Sequence, residues 1–172
     1  MVTAEAKLHV TEFTNEPFID FANPDSRKKM EEALKKVKRE FGHEYPMWIA
    51  GQKVITSGKK KSTNPSRPTE LIGIFQDASK EQAVHAIEAA NKYFDTWKKV
   101  PAEQRANYLF KTAALVRERK YELAALVCYE VGKSWIEADA DIAETIDFCE
   151  FYGREMLRLA EPQKLAPMRG ER

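Results

Sequence analysis

From Ser79 to Pro162 the chain reads as helix after helix, and this constrains it more than any other feature. Ser79-Lys-Glu-Gln82 and Ser134-Trp-Ile-Glu137 are capping boxes. In each, the serine hydroxyl can accept from the third helical N–H while the glutamine or glutamate reaches back to the serine's own N–H. Behind the first box, Ala83, Ile87, Ala90, Phe94 and Trp97 recur at alternating steps of four and three, which puts them on one helix face. Pro101 starts a second helix carrying Leu109, Ala113 and Val116, and a break near Lys120 leads to Leu123, Leu126 and Val127 before Gly132. The box at Ser134 opens a long helix with Ala138, Ile142, Ile146, Cys149, Met156 and Leu159 on its buried side, ended by Pro162. Helices with a single apolar stripe must lie on something, and the strands readable in this chain are short and fall in its other half.

That other half is more varied. The segment up to Asp20 has little periodicity and reads as an extended arm. Asn23-Pro24-Asp25 then supplies an N-cap, a proline at the first helical position and an early acid, followed by Met30, Leu34, Val37 and Phe41 and a stop at Gly42. Between Tyr45 and Phe75 short apolar pieces (Trp48-Ile49, Val54-Ile55, Leu71-Ile72-Gly73-Ile74-Phe75) read as short strands, with Ala50-Gly51 as a hairpin turn. The tail, residues 163–172, alternates polar and apolar residues and reaches a turn at Arg169-Gly170-Glu171, like one strand of a hairpin without its mate. An unmated hairpin strand leaves backbone groups unpaired, so the expectation is that the sequence stops before its fold does.

Composition narrows the chemistry. In 172 residues, 28 Lys and Arg stand against 27 Asp and Glu, so a dedicated polyanion binder is disfavoured and nucleic acid is not expected as a partner. No run approaches the roughly 18 apolar residues of a membrane span, so no membrane partner is expected. Cys128 and Cys149 sit among helix formers and read as reduced core thiols, which makes the cytoplasm the expected compartment. Neither has the helix N-terminus, cation or partner base that activates a nucleophile. Lys59-Lys60-Lys61 beside Gly58 lacks phosphate-loop spacing, because six residues separate Gly51 from Gly58 and Lys60 holds the Ser/Thr position.

The acidic helix Glu137, Asp139, Asp141, Glu144, Asp147, Glu150 lacks the glycine of a calcium loop. His9, His43 and His85 lie elsewhere, so a di-iron set is not formed either. It reads as a solvated acidic face. Glu144 falls some 200° from Ile142, away from the buried stripe, so by position alone it is an exposed carboxylate.

Several of these pieces resemble a known family in their order and spacing. Asn64-Pro65 with Leu71-Ile72-Gly73, Ala89-Ala90-Asn-Lys-Tyr-Phe94-Asp-Thr-Trp97, Arg105 with Leu109, and Glu130-Val-Gly132-Lys133 with Glu137-Ala138 are similar to the N-terminal part of the aldehyde dehydrogenase superfamily. Asn15-Glu-Pro-Phe-Ile, Phe41-Gly-His-Glu-Tyr-Pro46 and the run from Glu137 to Phe148 resemble the branch that oxidises glutamate γ-semialdehyde, the open form of 1-pyrroline-5-carboxylate, to glutamate in proline and arginine breakdown.

The resemblance implies an α/β fold, of which this chain would be the N-terminal portion of a cofactor-binding domain, mostly helical with a few short edge strands. Residues 1–44 would be the arm and leading helix, 45–162 the early strands and covering helices, and 163–172 the first strand of an incomplete assembly hairpin. It implies an aldehyde substrate, NAD as the cofactor of the complete enzyme and a homo-oligomer. No catalytic or NAD-binding residue falls within the chain, so the 172 residues alone are expected to be an inactive fragment that does not bind NAD. Two sets of site residues carry over: Glu144 to a substrate-lining position, and Ser62, Thr63 and Glu130 to a monovalent-cation site. The competing reading is a free-standing helical interaction module without enzymatic activity.

Overall fold

The structure, a computed structural model, describes residues 10–162, so the hairpin strand expected over 163–172 lies outside the described residues. Residues 10–20 run without regular structure into helix α1 (Pro24–Lys38), whose N-terminus is closed by the Asn23 side chain accepting from the Asp25 N–H. The helix stops at Lys38, a turn earlier than the glycine implied. Lys38 to Phe41 form turns, and Gly42 takes the left-handed φ of 79° that begins β1.

Five strands follow: β1 (His43–Tyr45), β2 (Met47–Ile49), β3 (Gln52–Val54), β4 (Lys59–Asn64) and β5 (Arg67–Gln76). β2 and β3 form the hairpin that Ala50-Gly51 implied, with Trp48 opposite Lys53. Both turn residues have positive φ, 51° at Ala50 and 77° at Gly51, the geometry whose twist matches the flanking strands. The other sheet has the order β1-β5-β4, with β1 parallel and β4 antiparallel to β5. β5 is therefore central and ten residues long, and the basic triplet Lys59-Lys60-Lys61 pairs with Gln76, Phe75 and Ile74 as an ordinary strand.

Four helices complete the described chain: α2 (Lys80–Trp97), α3 (Ala102–Glu118), α4 (Lys120–Val131) and α5 (Trp135–Ala160). Both capping boxes form as read, at Ser79 and Ser134. Gly132 closes α4 in the left-handed region at φ 77°, and a Cβ there would stand 3.0 Å from Pro65 Cγ. The core joins Met30, Ala33 and Val37 of α1, Ala113 of α3, Ala124 and Ala125 of α4, and Ala138, Ile142 and Ile146 of α5. Alanine at five of these nine positions lets helix axes approach closely, and the fully enclosed Met30 and Ile146 fill the space between. Gly153 serves the same purpose at the α3–α5 contact, where a Cβ would fall 2.5 Å from the Phe110 ring.

One expected stripe and the end of another are not buried. No residue of α2 is buried among the described residues: Ile87 is 69% and Phe94 54% exposed. The helix lies beside the β2–β3 hairpin and touches α3 through Trp97 and Tyr108, leaving an open hollow of about 960 Å³ between Trp48, Ile49, His85, Ala89 and Tyr93. Leu159, near the end of α5, is likewise exposed. The periodicity was correct in each case, but the described elements leave most of those positions uncovered.

Candidate functional site

The acidic helix is where the structure departs most from the sequence reading. α5 does not present its carboxylates to water as one face. Asp139 is 1% exposed, and Asp147 and Glu150 are half-buried, because the N-terminal arm lies along them. The arm runs antiparallel to α5. Arg154 donates to the Thr11 carbonyl at 3.0 Å, and Phe13 meets Phe151 edge-on at 5.6 Å. Asp147 accepts from Asn15 Nδ2 and from the Glu16 N–H, both at 2.7 Å. Asp139 accepts from the Ile19 N–H at 2.7 Å, and Phe21 packs on Trp135. The lengths agree: extended backbone covers about 33 Å from Thr11 to Phe21, and a helix about 29 Å from Arg154 to Trp135.

Cations from α3 and α4 close this seam. Lys120, itself buried, donates to the Pro17 carbonyl at 2.7 Å and stands 3.2 Å from Asp139 Oδ1, an ion pair out of hydrogen-bond alignment. Arg117 bonds Glu16 at 2.8 Å and Glu150 at 3.3 Å, and these two carboxylates hold its guanidinium more firmly protonated. Backbone N–H groups of an extended arm have no ladder to join, so buried carboxylates beneath it satisfy them.

Glu144 lies where its helical angle implied, exposed and off the buried stripe. It borders a hollow of about 410 Å³ whose walls are Phe13, Asn15 and Phe18 from the arm and Phe148, Phe151 and Tyr152 from α5. Phe148 and Tyr152 stack at 5.9 Å. Asp147 also borders the hollow, with both oxygens bonded to the arm, which leaves Glu144 to meet a ligand. A carboxylate among aromatic faces suits a ligand with a positive charge beside a short carbon chain, because both the charge and the ring faces attract a cation.

The second set of candidates meets at the other end of the sheet. Ser62 Oγ lies 3.3 Å from Glu130 Oε1, joining β4 to the end of α4. The β4–β5 ladder shifts register on both sides of Thr63, the kind of irregularity that leaves a backbone carbonyl out of the ladder. Among the described residues no three His, Cys, Asp or Glu side chains gather into a metal cluster. Cys128 and Cys149 are half-buried at the edge of the core, and burial pushes both thiols up, the opposite of what a nucleophile needs. No described helix is long and apolar enough to cross a membrane.

The arm's clamps, Arg117, Lys120, Asp139, Asp147 and Arg154, were not found from sequence. The one available signal was helical phase: Asp139 sits three residues before Ile142 and so shares its buried side.

Comparison with known proteins gives a consistent result. A model described as "Aldehyde dehydrogenase family" matches residues 48–171. The chain is 45% identical over 159 residues to 1-pyrroline-5-carboxylate dehydrogenase 1 of Halalkalibacterium halodurans, covering 92% of this chain and 31% of that protein. It is 46% identical over 152 residues to 1-pyrroline-5-carboxylate dehydrogenase of Bacillus thuringiensis, covering 88% of this chain and 30% of that one. Among solved structures, 1-pyrroline-5-carboxylate dehydrogenase from Thermus with bound NAD superposes with a TM-score of 0.89 at 47% identity, over 95% of this chain and 32% of that chain. The chain thus spans about a third of the length of the relatives it matches.

Proposed function

The chain belongs to the aldehyde dehydrogenase family, and from that premise we propose that it serves an NAD-dependent oxidation of L-glutamate γ-semialdehyde to L-glutamate. The observation that carries this reading is the likeness along almost the whole chain, at 45–47% identity, to proteins that bear the name 1-pyrroline-5-carboxylate dehydrogenase. The hollow beside Glu144 supports it. The substrate carries an ammonium group on a short chain, and Glu144 would face that charge while the aromatic walls hold the carbons and keep water away.

The described residues do not fit the dinucleotide. The turn from β5 into α2 is Asp77-Ala78-Ser79, with no glycine to admit a pyrophosphate and an acid where anions would bind. NAD, the thiolate that attacks the aldehyde and the base that activates water are therefore assigned to polypeptide outside residues 10–162. The chain's own part is to position: α5 presents Glu144, the arm closes one side of the hollow, and the core holds both. Ser62 and Thr63, through main-chain oxygens, and Glu130, through its carboxylate, would hold a monovalent cation that neutralises charge where β4 meets α4. The domain division at residues 44 and 162, a cytoplasmic site of action and a homo-oligomeric enzyme belong to the same proposal.

The test is a hybrid in which these 172 residues replace the matching third of the Thermus thermophilus enzyme. It should reduce NAD with glutamate γ-semialdehyde, and Glu144→Ala should weaken use of that substrate more than use of propionaldehyde. A hybrid that turns over propionaldehyde and ignores the semialdehyde would overturn the substrate assignment. The 172-residue chain alone should form no NADH.

A further inference from the structure

The hollow beside Glu144 is built from two segments about 130 residues apart, and Asp147 hydrogen-bonds one to the other. Phe148, Phe151 and Tyr152 are fixed to α5 by the helix itself, whereas Phe13, Asn15 and Phe18 belong to an arm with no regular structure. An extended segment of that kind has no backbone ladder to hold its side chains in register. Asp147 lies one helical turn beyond Glu144. Its Oδ2 accepts from Asn15 Nδ2 and its Oδ1 from the Glu16 N–H, each at 2.7 Å, so both carboxylate oxygens are used on the arm.

Asp139 holds Ile19 and Arg154 holds Thr11, one on each side of the wall residues. Between Phe13 and Phe18, Arg117 of α3 bonds Glu16 and Lys120 of α4 bonds the Pro17 carbonyl, while Asp147 bonds Asn15 and Glu16 from α5, the helix that carries Glu144. Phe18 is 72% exposed and has little packing of its own to keep it in place. Charge-assisted bonds to an ionised carboxylate are the stronger kind, and two on one side chain define an orientation as well as a distance.

We propose that Asp147 is a positioning residue for substrate selection, which by holding Asn15 and Glu16 sets the Phe13–Phe18 wall at a fixed width opposite Glu144. It borders the hollow, but both of its carboxylate oxygens are engaged by the arm, and it acts by holding that arm. The inference rests on the reading of the Glu144 hollow as the substrate's place. It implies that selection between a charged aldehyde and a plain one depends on the N-terminal arm as well as on α5.

Two measurements test it. In the full 172-residue chain, Asp147→Ala should speed hydrogen exchange at the Glu16 N–H at least about tenfold, leaving the amides of Ala124 and Ile146 unchanged. In the hybrid enzyme the same change should raise KM for glutamate γ-semialdehyde about tenfold, with kcat within about twofold and KM for propionaldehyde unmoved; tenfold is the size expected from losing a charge-assisted bond. Asp147→Asn, which keeps one acceptor, should fall between, and Asn15→Ala should show a weaker form of the same split should Asp147→Ala fold poorly. An unchanged KM in an active hybrid, or equal loss for both aldehydes, overturns the positioning role. A hybrid with Asp147 intact that ignores the semialdehyde overturns the functional reading, and this proposal with it.

Discussion

α2 and α5 are both amphipathic, both open on a capping box, and meet opposite ends in the structure. α5 is covered on several sides, by α3, by α4 and by the arm, and even two of its carboxylates are taken up by backbone donors. α2 has no buried residue, and its Ile87 and Phe94 stand open beside the β2–β3 hairpin. An apolar stripe therefore states that a face is to be covered, and says nothing of what covers it. The acids teach the converse: Asp139 and Asp147 looked suited to water, yet they accept from an arm that has no other way to satisfy its N–H groups.

The largest expected effect is at the seam. Lys120→Ala leaves Asp139 buried without its cation and should cost about 3–5 kcal/mol, the usual consequence of breaking a buried pair, read as a lower urea midpoint. A loss below about 1 kcal/mol would mean that the seam is far more hydrated than its burial implies. Gly153→Ala pushes a methyl into the Phe110 ring and should cost about 1–3 kcal/mol, with Phe110→Leu restoring part of the loss in the double variant.

Acid should act on the covered side through α1. Arg119 and Lys36 hold Glu122, and Lys38 and Asn64 hold Glu70, each below the ordinary 4.5 of a glutamate. A carboxyl whose folded pKa is lowered stabilises the fold above its unfolded value, and that contribution disappears as pH falls through the folded one. Protection of α1 amides, with exchange taken relative to the intrinsic rate at each pH, should hence fall below about pH 4.5 and level off once both groups are protonated. A profile that is flat from pH 7 to 3 would remove these two pairs from the account.

On the open side, effects should be small. Ile87→Lys changes a residue already 69% in water and should move stability by no more than about 0.5 kcal/mol while reducing self-association in sedimentation. A loss of 2 kcal/mol there would show that α2 is covered after all. Smallest of all, Ala50→Asn at φ 51° should gain a few tenths of a kcal/mol, about 0.5 at most, by placing a residue that tolerates that conformation in the hairpin turn.

Local features of the fold were readable in advance because they depend on neighbours in sequence. Asn23 and Pro24, the boxes at Ser79 and Ser134, the stop at Gly132 and the Ala50-Gly51 turn each act through atoms a few residues apart. The parallel pairing of β1 with β5 was not readable, since His43–Tyr45 is three exposed residues with no alternation to mark them. The candidate site divides in the same way. Glu144 was placed on the correct face by helical angle, whereas its aromatic walls and the Asp147 clamp depend on the return of the arm.

The sequence by itself determined which segments are helical, where most of them begin and end, and, through ordered motifs, the family to which the chain belongs. Those properties are written in contacts three or four residues apart and in spacing along the chain. Only the tertiary structure decided which faces are covered and which acids are buried. Burial depends on what lies opposite, and for Asp139 and Asp147 the opposing backbone comes from more than a hundred residues away.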